Sequence, residues 1–427
     1  MSHESIVIEK SQPLHGTVEL VGAKNSVLVI MAALVLTAGK NRLCNVPFSE
    51  DVFQMIKLLT SLGAEVISNE AAHTLDIDTT RINSFSVSAD IMKKMRASIL
   101  VMGPLLVRFG NAEVAQPGGD IIGDRPIDFH LKAFQKMGAS IERSGDVVSS
   151  RVRQLKSITC VFEYPSVGAT ENVMMAAVCA QGTTRIINAA IEPEIFDLVE
   201  ALKKMGASIT IISPATIEIV GVSSLNPIEH TLMYDRLEAG SLLLAAAITG
   251  GEILLPQAPV DSMDVFLAKL EEMGHTITIV DAPQGKGIFF KATDNPHAIS
   301  FRTMPYPGFP TDLQAPMMAA LCLASGKSVI HETVFENRLV HVRELQKMGA
   351  CISIEGHTAT IIGVEELYGA SVIASDIRAA YALVLAGLVA QGTTTMTGVH
   401  HLKRGYEGIL EKLVRLGAHV LHAKSLE

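Results

Sequence analysis

The chain of 427 residues is long enough for two or more hydrophobic cores, since 48% of its residues are hydrophobic and only 19% are charged. A net charge of −9 argues against nucleic acid or an anionic membrane as the main partner, because both require a clustered basic face, although an anionic small molecule can still bind a locally basic pocket. Five widely spaced cysteines without a CxxC pair or a Cys/His cluster indicate reduced thiols and predict no metal site.

The amino-terminal segment MSHESIVIEK has no basic stretch followed by an apolar one, so no export signal is predicted. The longest apolar run, SVLVIMAALVLTA at 26–38, is shorter than the roughly 20 residues that a membrane span needs. We therefore expect a cytoplasmic protein.

A short phrase recurs six times along the chain, as SLGAEV, KMGASI, KMGASI, EMGHTI, KMGACI and RLGAHV. Its glycines are Gly63, Gly138, Gly206, Gly274, Gly349 and Gly417, at intervals of 75, 68, 68, 75 and 68 residues. A second glycine closes an apolar run ahead of each phrase, at Gly39, Gly110, Gly182, Gly250, Gly326 and Gly392. The chain is therefore built of six repeats, and the restart of the 75, 68 pattern at Gly274 indicates two groups of three.

Each repeat contains two kinds of helix. The first is apolar all round, as in GSLLLAAAITG, and predicts a fully buried helix that continues to the closing glycine. The second is amphipathic, as in DLVEALKKMG, and short strands such as TTRIINA and ASITII lie around it. We predict an α/β protein of two threefold pseudo-symmetric halves.

The starts of the buried helices carry polar and charged residues. Ser166, Asp235, Asp312 and Asp376 are first of all candidate N-caps. Lys24, Arg96, Arg236 and Arg378 are not, because a cation is disfavoured at the positive end of a helix. Each of these four cations, taken singly, can pair with a carboxylate or reach solvent; together they favour binding of a strongly anionic ligand.

A glycine-rich stretch, PGGDIIGDRP at 117–126, places Asp120 and Arg125 in a loop. Two interpretations stay open from the residues alone. The stretch is either an ordinary connection or a mobile functional loop on a rigid scaffold.

The motifs GAKN, KMRASILVMGPLLVRFG, PGGDIIGDRPIDFHLK, SVGATEN, DRLEAG, FPTDLQA, ETVFENRLVHVREL, DIRAAYALVLAG and HLKRGYEGILEKL resemble, in this order, the UDP-N-acetylglucosamine 1-carboxyvinyltransferase family of enolpyruvyl transferases. The resemblance runs from about residue 6 to 420, in register with the repeats. It implies a two-domain inverted α/β barrel of six βαβαββ-like units, three per domain. One domain would span 22–230 and carry the lid loop 116–126, and the other would combine 1–21 with 231–427.

The resemblance implies transfer of the enolpyruvyl group of phosphoenolpyruvate to the 3′-hydroxyl of UDP-N-acetylglucosamine, with release of phosphate, at the start of peptidoglycan synthesis. No cofactor is implied. It assigns phosphoenolpyruvate to Lys24, Arg125, Arg338, Arg378 and Arg404, and Asp312 to accepting the proton of the attacking hydroxyl. The catalytic residues would be Asp120, Asp312, Lys24 and Arg404. The UDP-sugar would contact Asn25, Arg96, Arg125, Pro126, Ile127, Asp128, Phe129, Ser166, Val167, Gly168, Asp312 and Val334.

Two positions depart from the family pattern. Asp120 stands where most members have a cysteine that serves as general acid, so its carboxyl must hold a proton at neutral pH, which requires a raised pKa. Fosfomycin acts by alkylating that cysteine, so the resemblance predicts an enzyme insensitive to it. Tyr164 replaces a lysine that often contacts the diphosphate, which predicts weaker nucleotide binding or a different acceptor.

The sequence leaves three alternatives open. Within the fold, 5-enolpyruvylshikimate-3-phosphate synthase is the nearest, and the stretches PGGDIIGDRPIDFH and ENRLVHVREL favour the sugar-nucleotide enzyme. RNA 3′-phosphate cyclase has related repeats but would need a basic track. An inactive repeat scaffold is disfavoured because Lys24, Arg125, Asp312, Arg378 and Arg404 are all retained, and unpaired charges cost stability.

Overall fold

The computed structural model describes residues 4–282 and 285–423. The helices are α1 (Lys24–Ala33), α2 (Glu50–Leu62), α3 (Ala89–Met92), α4 (Met102–Phe109), α5 (Asp128–Lys136), α6 (Val167–Ala177), α7 (Pro193–Met205), α8 (Arg236–Thr249), α9 (Asp264–Glu272), α10 (Gln314–Leu321), α11 (Val342–Lys347), α12 (Ile377–Val389), α13 (His400–Gly405) and α14 (Ile409–Arg415). Short 3₁₀ helices span Leu34–Leu36, Arg96–Val101, Val260–Ser262 and Thr311–Leu313.

The strands are short and numerous. They are β1 (Ser5–Glu9), β2 (His15–Thr17), β3 (Lys40–Cys44), β4 (Glu65–Asn69), β5 (Thr74–Asp78), β6 (Asn111–Ala115), β7 (Ser140–Ser144), β8 (Val147–Arg151), β9 (Thr159–Val161), β10 (Thr183–Ile187), β11 (Ser208–Ser213), β12 (Thr216–Val220), β13 (Glu229–Thr231), β14 (Glu252–Leu255), β15 (Thr276–Ala282), β16 (Gly285–Lys291), β17 (Phe301–Arg302), β18 (Lys327–His331), β19 (Cys351–Glu355), β20 (Thr358–Ile362), β21 (Ser371–Ile373), β22 (Thr393–Thr397) and β23 (His419–Ala423).

The six sequence repeats correspond to six small sheets of one topology. In the order β11-β12-β10-β9, the edge strand β9 pairs parallel with β10, and the remaining pairs are antiparallel. The orders β13-β3-β5-β4, β15-β16-β14-β2, β17-β18-β20-β19 and β21-β22-β1-β23 repeat this arrangement. The sheet β6-β8-β7 keeps it with a single parallel bridge, Ser86 to Glu113, in place of the edge strand. The predicted six-repeat α/β fold is therefore confirmed.

The chain forms two compact units with separate hydrophobic cores. Unit 1 comprises 1–21, 121–124 and 234–427, and unit 2 comprises 22–120 and 125–233. The amino-terminal strands β1 and β2 complete two sheets of unit 1. Each core is centred on three buried helical segments: α1, α4 and α6 in unit 2, and α8, α10 and α12 in unit 1.

Two boundaries differ from the sequence-based division. The boundary at which the chain returns from unit 2 to unit 1 lies after Met233 and not after residue 230. Residues 231–233 stay with unit 2 because β13 pairs with β3 and the Ala23 amide donates to the Met233 carbonyl at 2.8 Å. The tip of the predicted lid loop, 121–124, belongs to unit 1. There, the Ile122 carbonyl accepts a hydrogen bond from the Asn337 amide at 3.0 Å.

The glycines that punctuate the repeats all have positive φ, as a left-handed turn after a helix requires. Gly110 and Gly250 end α4 and α8 directly, as predicted. The prediction that α1, α6, α10 and α12 also run up to their glycines is wrong. They stop three to six residues earlier because the chain tightens into i→i+3 bonds, such as Ala180 N to Ala177 O at 3.0 Å and Ala324 N to Leu321 O at 3.2 Å.

The second buried segment is also interrupted. A single helix over 97–110 was expected, but a 3₁₀ helix over Arg96–Val101 precedes α4. Pro104 has no N–H and its ring would clash with the carbonyl four residues earlier, so a continuous α-helix is unfavourable there. Among the described residues, none of the helices has both the length and the hydropathy to cross a membrane.

Candidate functional site

Lys24 begins α1 in unit 2, where Ala23 at the cap position provides no side-chain hydrogen bond. Its ammonium lies 3.3 Å from a carboxylate oxygen of Asp51, and both side chains are largely buried. This ion pair offsets the unfavourable placement of a cation at a helix N-terminus. The exposed Asn25 follows it. An anion bound at Lys24 would therefore compete with Asp51.

Arg96 and Arg125 are brought together in the same unit. A guanidinium nitrogen of Arg96 donates to the backbone carbonyl of Arg125. Burial, followed by the charge of Arg125, lowers the pKa of Arg96 to about 10, so it stays protonated at neutral pH. Arg125 itself has φ of 43°, in the left-handed region. The charge of Arg125 acts on Arg96, and two cations that repel each other in this way are suited to binding an anionic ligand.

The first part of the glycine-rich loop packs tightly against the end of α3, at Met92 and Lys93. The Gly118 amide donates to the Met92 carbonyl at 3.1 Å, and a Cβ at Gly118 would come within 1.9 Å of the Lys93 carbonyl oxygen. Only glycine fits at that approach. Asp120 follows and is partly exposed.

The predicted nucleotide residues of unit 2 lie at the starts of two helices. Pro126 and Ile127 precede α5, which Asp128 and Phe129 begin. Ser166 caps α6, accepting from the Ala169 amide at 3.4 Å, and Val167 and Gly168 follow it. The Phe129 ring lies 5.7 Å from that of Phe162, in a groove also lined by Lys132 and Lys136. Tyr164 is 41% exposed.

His130 and Asn172, which sequence reasoning missed, connect these segments. The Asn172 amide donates to the Ile99 carbonyl at 2.9 Å and to His130 Nδ1 at 3.0 Å, and it accepts from the Gly103 amide at 2.8 Å. Burial and then the charge of Arg96 lower the pKa of His130 to about 3. The ring is therefore neutral, with its proton on Nε2. In the sequence, the only indication of these two residues was their position in motifs: His130 follows RPIDF, and Asn172 ends ATEN.

Because His130 is neutral in the folded protein, we predict that the stability of the fold depends on pH. Because the pKa of His130 is about 3 in the folded state and about 6.5 when unfolded, its stabilisation is present above pH 6.5 and is lost as pH falls toward 3. His130→Gln should flatten the decrease in urea midpoint between pH 6.5 and 4.5. His357→Gln, which changes an exposed histidine, is the control and should keep the wild-type slope. Equal slopes in all three proteins would contradict the assignment.

Unit 1 contains a carboxylate bridged by two arginines. Asp312 Oδ1 accepts from Arg338 at 2.7 Å, and Oδ2 accepts from Arg378 at 3.0 Å. Both guanidinium groups are buried, whereas the Asp312 side chain is 28% exposed. The three residues come from 3₁₀ helix 311–313, the segment before α11, and α12.

Asp312 is not the N-cap residue that its position suggested, since the N-cap positions of 3₁₀ helix 311–313 and of α10 are Pro310 and Leu313. The N-cap residue of α10 is Leu313, whose side chain makes no cap hydrogen bond. Asp235 does cap α8, accepting from the Leu237 amide at 2.7 Å, and Asp376 caps α12, accepting from the Arg378 amide at 3.0 Å. The cap interpretation is thus confirmed for Ser166, Asp235 and Asp376 and wrong for Asp312.

Tyr406, which sequence reasoning also missed, holds the Arg378 side chain in place through a hydrogen bond. The Arg378 guanidinium donates to the Tyr406 hydroxyl at 2.7 Å, and that hydroxyl shares a 2.8 Å hydrogen bond with Ser241. Burial alone would lower the pKa of Arg378, but Asp312, Tyr406 and Asp235 raise it overall. Arg378 is therefore a permanent cation.

The remaining predicted residues of unit 1 lie nearby in sequence. The Val334 amide donates to buried Glu332 at 2.8 Å, and Thr311 donates to the other oxygen of Glu332 at 3.0 Å. Arg404 lies in α13 and is partly exposed. Arg236 lies at the start of α8, with its guanidinium 5.5 Å from the Tyr306 ring. Within residues 4–282 and 285–423, no cluster of three or more His, Cys, Asp or Glu has the arrangement of a metal site.

Most of the chain matches a known protein family. A profile described as "EPSP synthase (3-phosphoshikimate 1-carboxyvinyltransferase)" matches residues 8–413. The chain therefore belongs to this family of enolpyruvyl transferases and is an enzyme of that class. The resemblance inferred from the motifs is confirmed.

Relatives that match over nearly their full length carry a more specific name than the family as a whole. The chain is 49% identical over 414 residues to UDP-N-acetylglucosamine 1-carboxyvinyltransferase 1 of Caldanaerobacter subterraneus subsp. tengcongensis, covering 97% of this chain and 98% of that one. It is 45% identical over 421 residues to UDP-N-acetylglucosamine 1-carboxyvinyltransferase of Geobacter metallireducens, covering 99% and 100%.

Solved structures share the fold. The enolpyruvyl transferase NikO from Streptomyces tendae superposes with a TM-score of 0.90 at 23% identity, over 99% of both chains. EPSP synthase from Acinetobacter baumannii superposes with a TM-score of 0.77 at 17% identity, over 99% of this chain and 100% of that one.

Proposed function

We propose that this enzyme transfers the enolpyruvyl group of phosphoenolpyruvate to the 3′-hydroxyl of UDP-N-acetylglucosamine and releases phosphate, the first committed step of peptidoglycan synthesis. The observation that carries the proposal is the 44–49% identity, over nearly the whole chain, to relatives named for this reaction. The reduced-thiol composition supports a cytoplasmic location.

The charges of the described residues are suited to phosphoenolpyruvate, which carries a carboxylate and a phosphate. We assign its carboxylate to Arg338 and Arg378, since each guanidinium already donates to one oxygen of a carboxylate. Its phosphate is assigned to Lys24, Arg125 and Arg404. Lys24 is paired with Asp51, so part of the binding free energy is spent on displacing that partner.

The chemical roles follow from the two aspartates. As the 3′-oxygen of the acceptor bonds to C2 of phosphoenolpyruvate, its proton passes to Asp312, and the C2=C3 electron pair takes a proton from the Asp120 carboxyl. The resulting tetrahedral adduct then loses a proton from C3 back to Asp120. The C2=C3 bond re-forms while the C2–O bond to phosphate breaks, which releases phosphate and the enolpyruvyl product.

The UDP-sugar is assigned to Asn25, Arg96, Arg125, Ser166, Val167, Gly168, Asp312, Val334 and the stretch 126–129. Phe129 lies in the groove with Phe162, and the flanking Lys132 and Lys136 suit a diphosphate. Lys132 is paired with Asp128 at 3.1 Å and Glu163 also lines this groove, so a diphosphate bound there would have to compete with both carboxylates for the two lysines. Tyr164 adds no cation, so the lysines of this groove are the positive charges that we assign to the diphosphate.

An acceptor assay tests the proposal. Phosphate release from phosphoenolpyruvate should be rapid with UDP-N-acetylglucosamine and absent with shikimate 3-phosphate at equal concentration. Formation of the enolpyruvyl sugar nucleotide, measured by mass spectrometry, checks the product. Turnover with shikimate 3-phosphate alone would instead identify the second acceptor as the substrate, and turnover with neither would refute both assignments.

A further inference from the structure

The carboxylate of Asp312 has the contacts that a bound substrate carboxylate would have. Its two oxygens are divided between two guanidinium groups, at 2.7 Å to Arg338 and 3.0 Å to Arg378. The arginine side chains are 2% and 5% exposed, whereas that of Asp312 is 28% exposed. The cations are thus enclosed by protein, and the anion is the member of the cluster that reaches solvent.

The two arginines are held by other groups as well. Arg378 donates to the Tyr406 hydroxyl at 2.7 Å and lies over its ring at 5.2 Å. Arg338 lies 3.5 Å from an oxygen of Asp376, which is fixed as the cap of α12, and 5.8 Å from the Phe335 ring. The pair would therefore keep its geometry without Asp312, as a preorganised binding site for a planar anion.

This binding site is not saturated by Asp312. Across the residues that the structure describes, the buried Nε of Arg338 has no hydrogen-bond partner. Buried donors are nearly always paired, and an unpaired one calls for an explanation. A small carboxylate that is not attached to the chain can approach a guanidinium side-on and accept two hydrogen bonds from it, which satisfies this nitrogen.

We propose that Asp312 is a resident competitor: in the substrate-free enzyme it occupies the place of the phosphoenolpyruvate carboxylate, and substrate binding displaces it. The inference rests on the proposed function for the identity of the incoming carboxylate. It adds that the base and the substrate exchange places at one pair of arginines.

The exchange couples base strength to substrate binding. A carboxylate that accepts from two guanidinium groups is stabilised in its charged form and is a poor proton acceptor. Once displaced, Asp312 loses those hydrogen bonds and lies near an added negative charge, and both changes strengthen it as a base. Proton removal from the acceptor hydroxyl is then favoured only when phosphoenolpyruvate is present.

Binding of two simple anions tests the inference. Pyruvate carries the carboxylate without the phosphate, and inorganic phosphate carries neither the carboxylate nor the vinyl group. By calorimetry without acceptor, Asp312→Ala and the isosteric Asp312→Asn should bind pyruvate roughly tenfold more tightly than wild type, as expected for losing a competitor that holds two charged hydrogen bonds. Their affinity for phosphate should change less than about twofold.

The controls separate this effect from a general change of charge. Asp261→Asn removes an exposed carboxylate of the same unit and should leave both affinities as in wild type. Equal tightening for pyruvate and phosphate in the Asp312 variants would show a general electrostatic effect and overturn the inference. Unchanged or weaker pyruvate binding would also overturn it.

The wild-type acceptor assay keeps the two claims distinct. If wild type turns over UDP-N-acetylglucosamine but pyruvate binding does not tighten in either variant, only the resident-competitor inference fails. If pyruvate binding tightens but no turnover is found, the proposed reaction fails and the competition at the arginine pair stands.

Discussion

Asp120→Asn should reduce turnover by about 10²- to 10⁴-fold, the usual contribution of a positioned general acid. The amide cannot donate a proton to C3, yet it nearly preserves the size of the side chain, so phosphoenolpyruvate should still bind. Asp120→Cys should retain turnover, since the thiol is the group that most of the family uses there. Steady-state phosphate release and calorimetric binding measure the two effects separately.

Fosfomycin should distinguish the wild type from Asp120→Cys, although both are expected to turn over substrate. Wild type should be insensitive at millimolar concentration because residue 120 offers no thiol, and Asp120→Cys should be inactivated with time. Asp90→Asn, an exposed acid of the same unit, is the control and should match wild type in turnover. Time-dependent inactivation of the wild type would contradict the predicted insensitivity, and full activity of Asp120→Asn would exclude Asp120 as the proton donor.

Lys412→Met should lower the free energy of unfolding by about 3–5 kcal/mol at neutral pH, because it removes one partner of a buried ion pair. Lys412 on α14 lies 2.5 Å from Glu238 on α8, with side chains 9% and 3% exposed. The second oxygen of Glu238 accepts from the Val21 amide at 3.0 Å. The urea midpoint of unfolding measures the loss.

The loss should depend on pH. Burial raises the pKa of Glu238, although Lys412 opposes the shift, so without the lysine the pKa should rise further. A raised folded-state pKa means that stability is greatest below the unfolded value near 4.5 and decreases as pH rises through the folded value. The variant should therefore lose more stability at pH 8 than at pH 5.

Two further variants test the cause. Adding Glu238→Gln to Lys412→Met removes the unpaired charge and should recover much of the stability. Lys403→Met breaks an exposed pair with Glu4, 2.6 Å long, and should have little effect because exposed ion pairs contribute little. A Lys412→Met variant no less stable than Lys403→Met would refute the argument.

Many residues of the candidate site could be predicted from sequence motifs, but the contacts between them could not. The sequence indicated Lys24, Arg96, Arg236 and Arg378 because cations at helix starts are unfavourable and need a reason. It did not reveal that Asp51 pairs with Lys24, or that Tyr406 supports Arg378. These partners are distant in sequence, and no local pattern marks which of several polar groups will meet.

By itself, the sequence determined the repeated architecture. Apolar segments without a polar face must be buried on all sides, and glycines at regular spacing allow the left-handed turns that end helices. Both are local properties of the chain. They therefore predicted six α/β repeats in two groups of three, although Pro104 and the tightened helix ends changed their lengths.

Only the tertiary structure decided how the buried charges are paired. Asp312 was a plausible cap by position, but two arginines 26 and 66 residues further along the chain bind its carboxylate instead. His130 and Asn172, 42 residues apart, are joined in the same way. A buried polar group must find a partner, and which partner it finds depends on packing between repeats, since the low dielectric of the core makes each unpaired group costly.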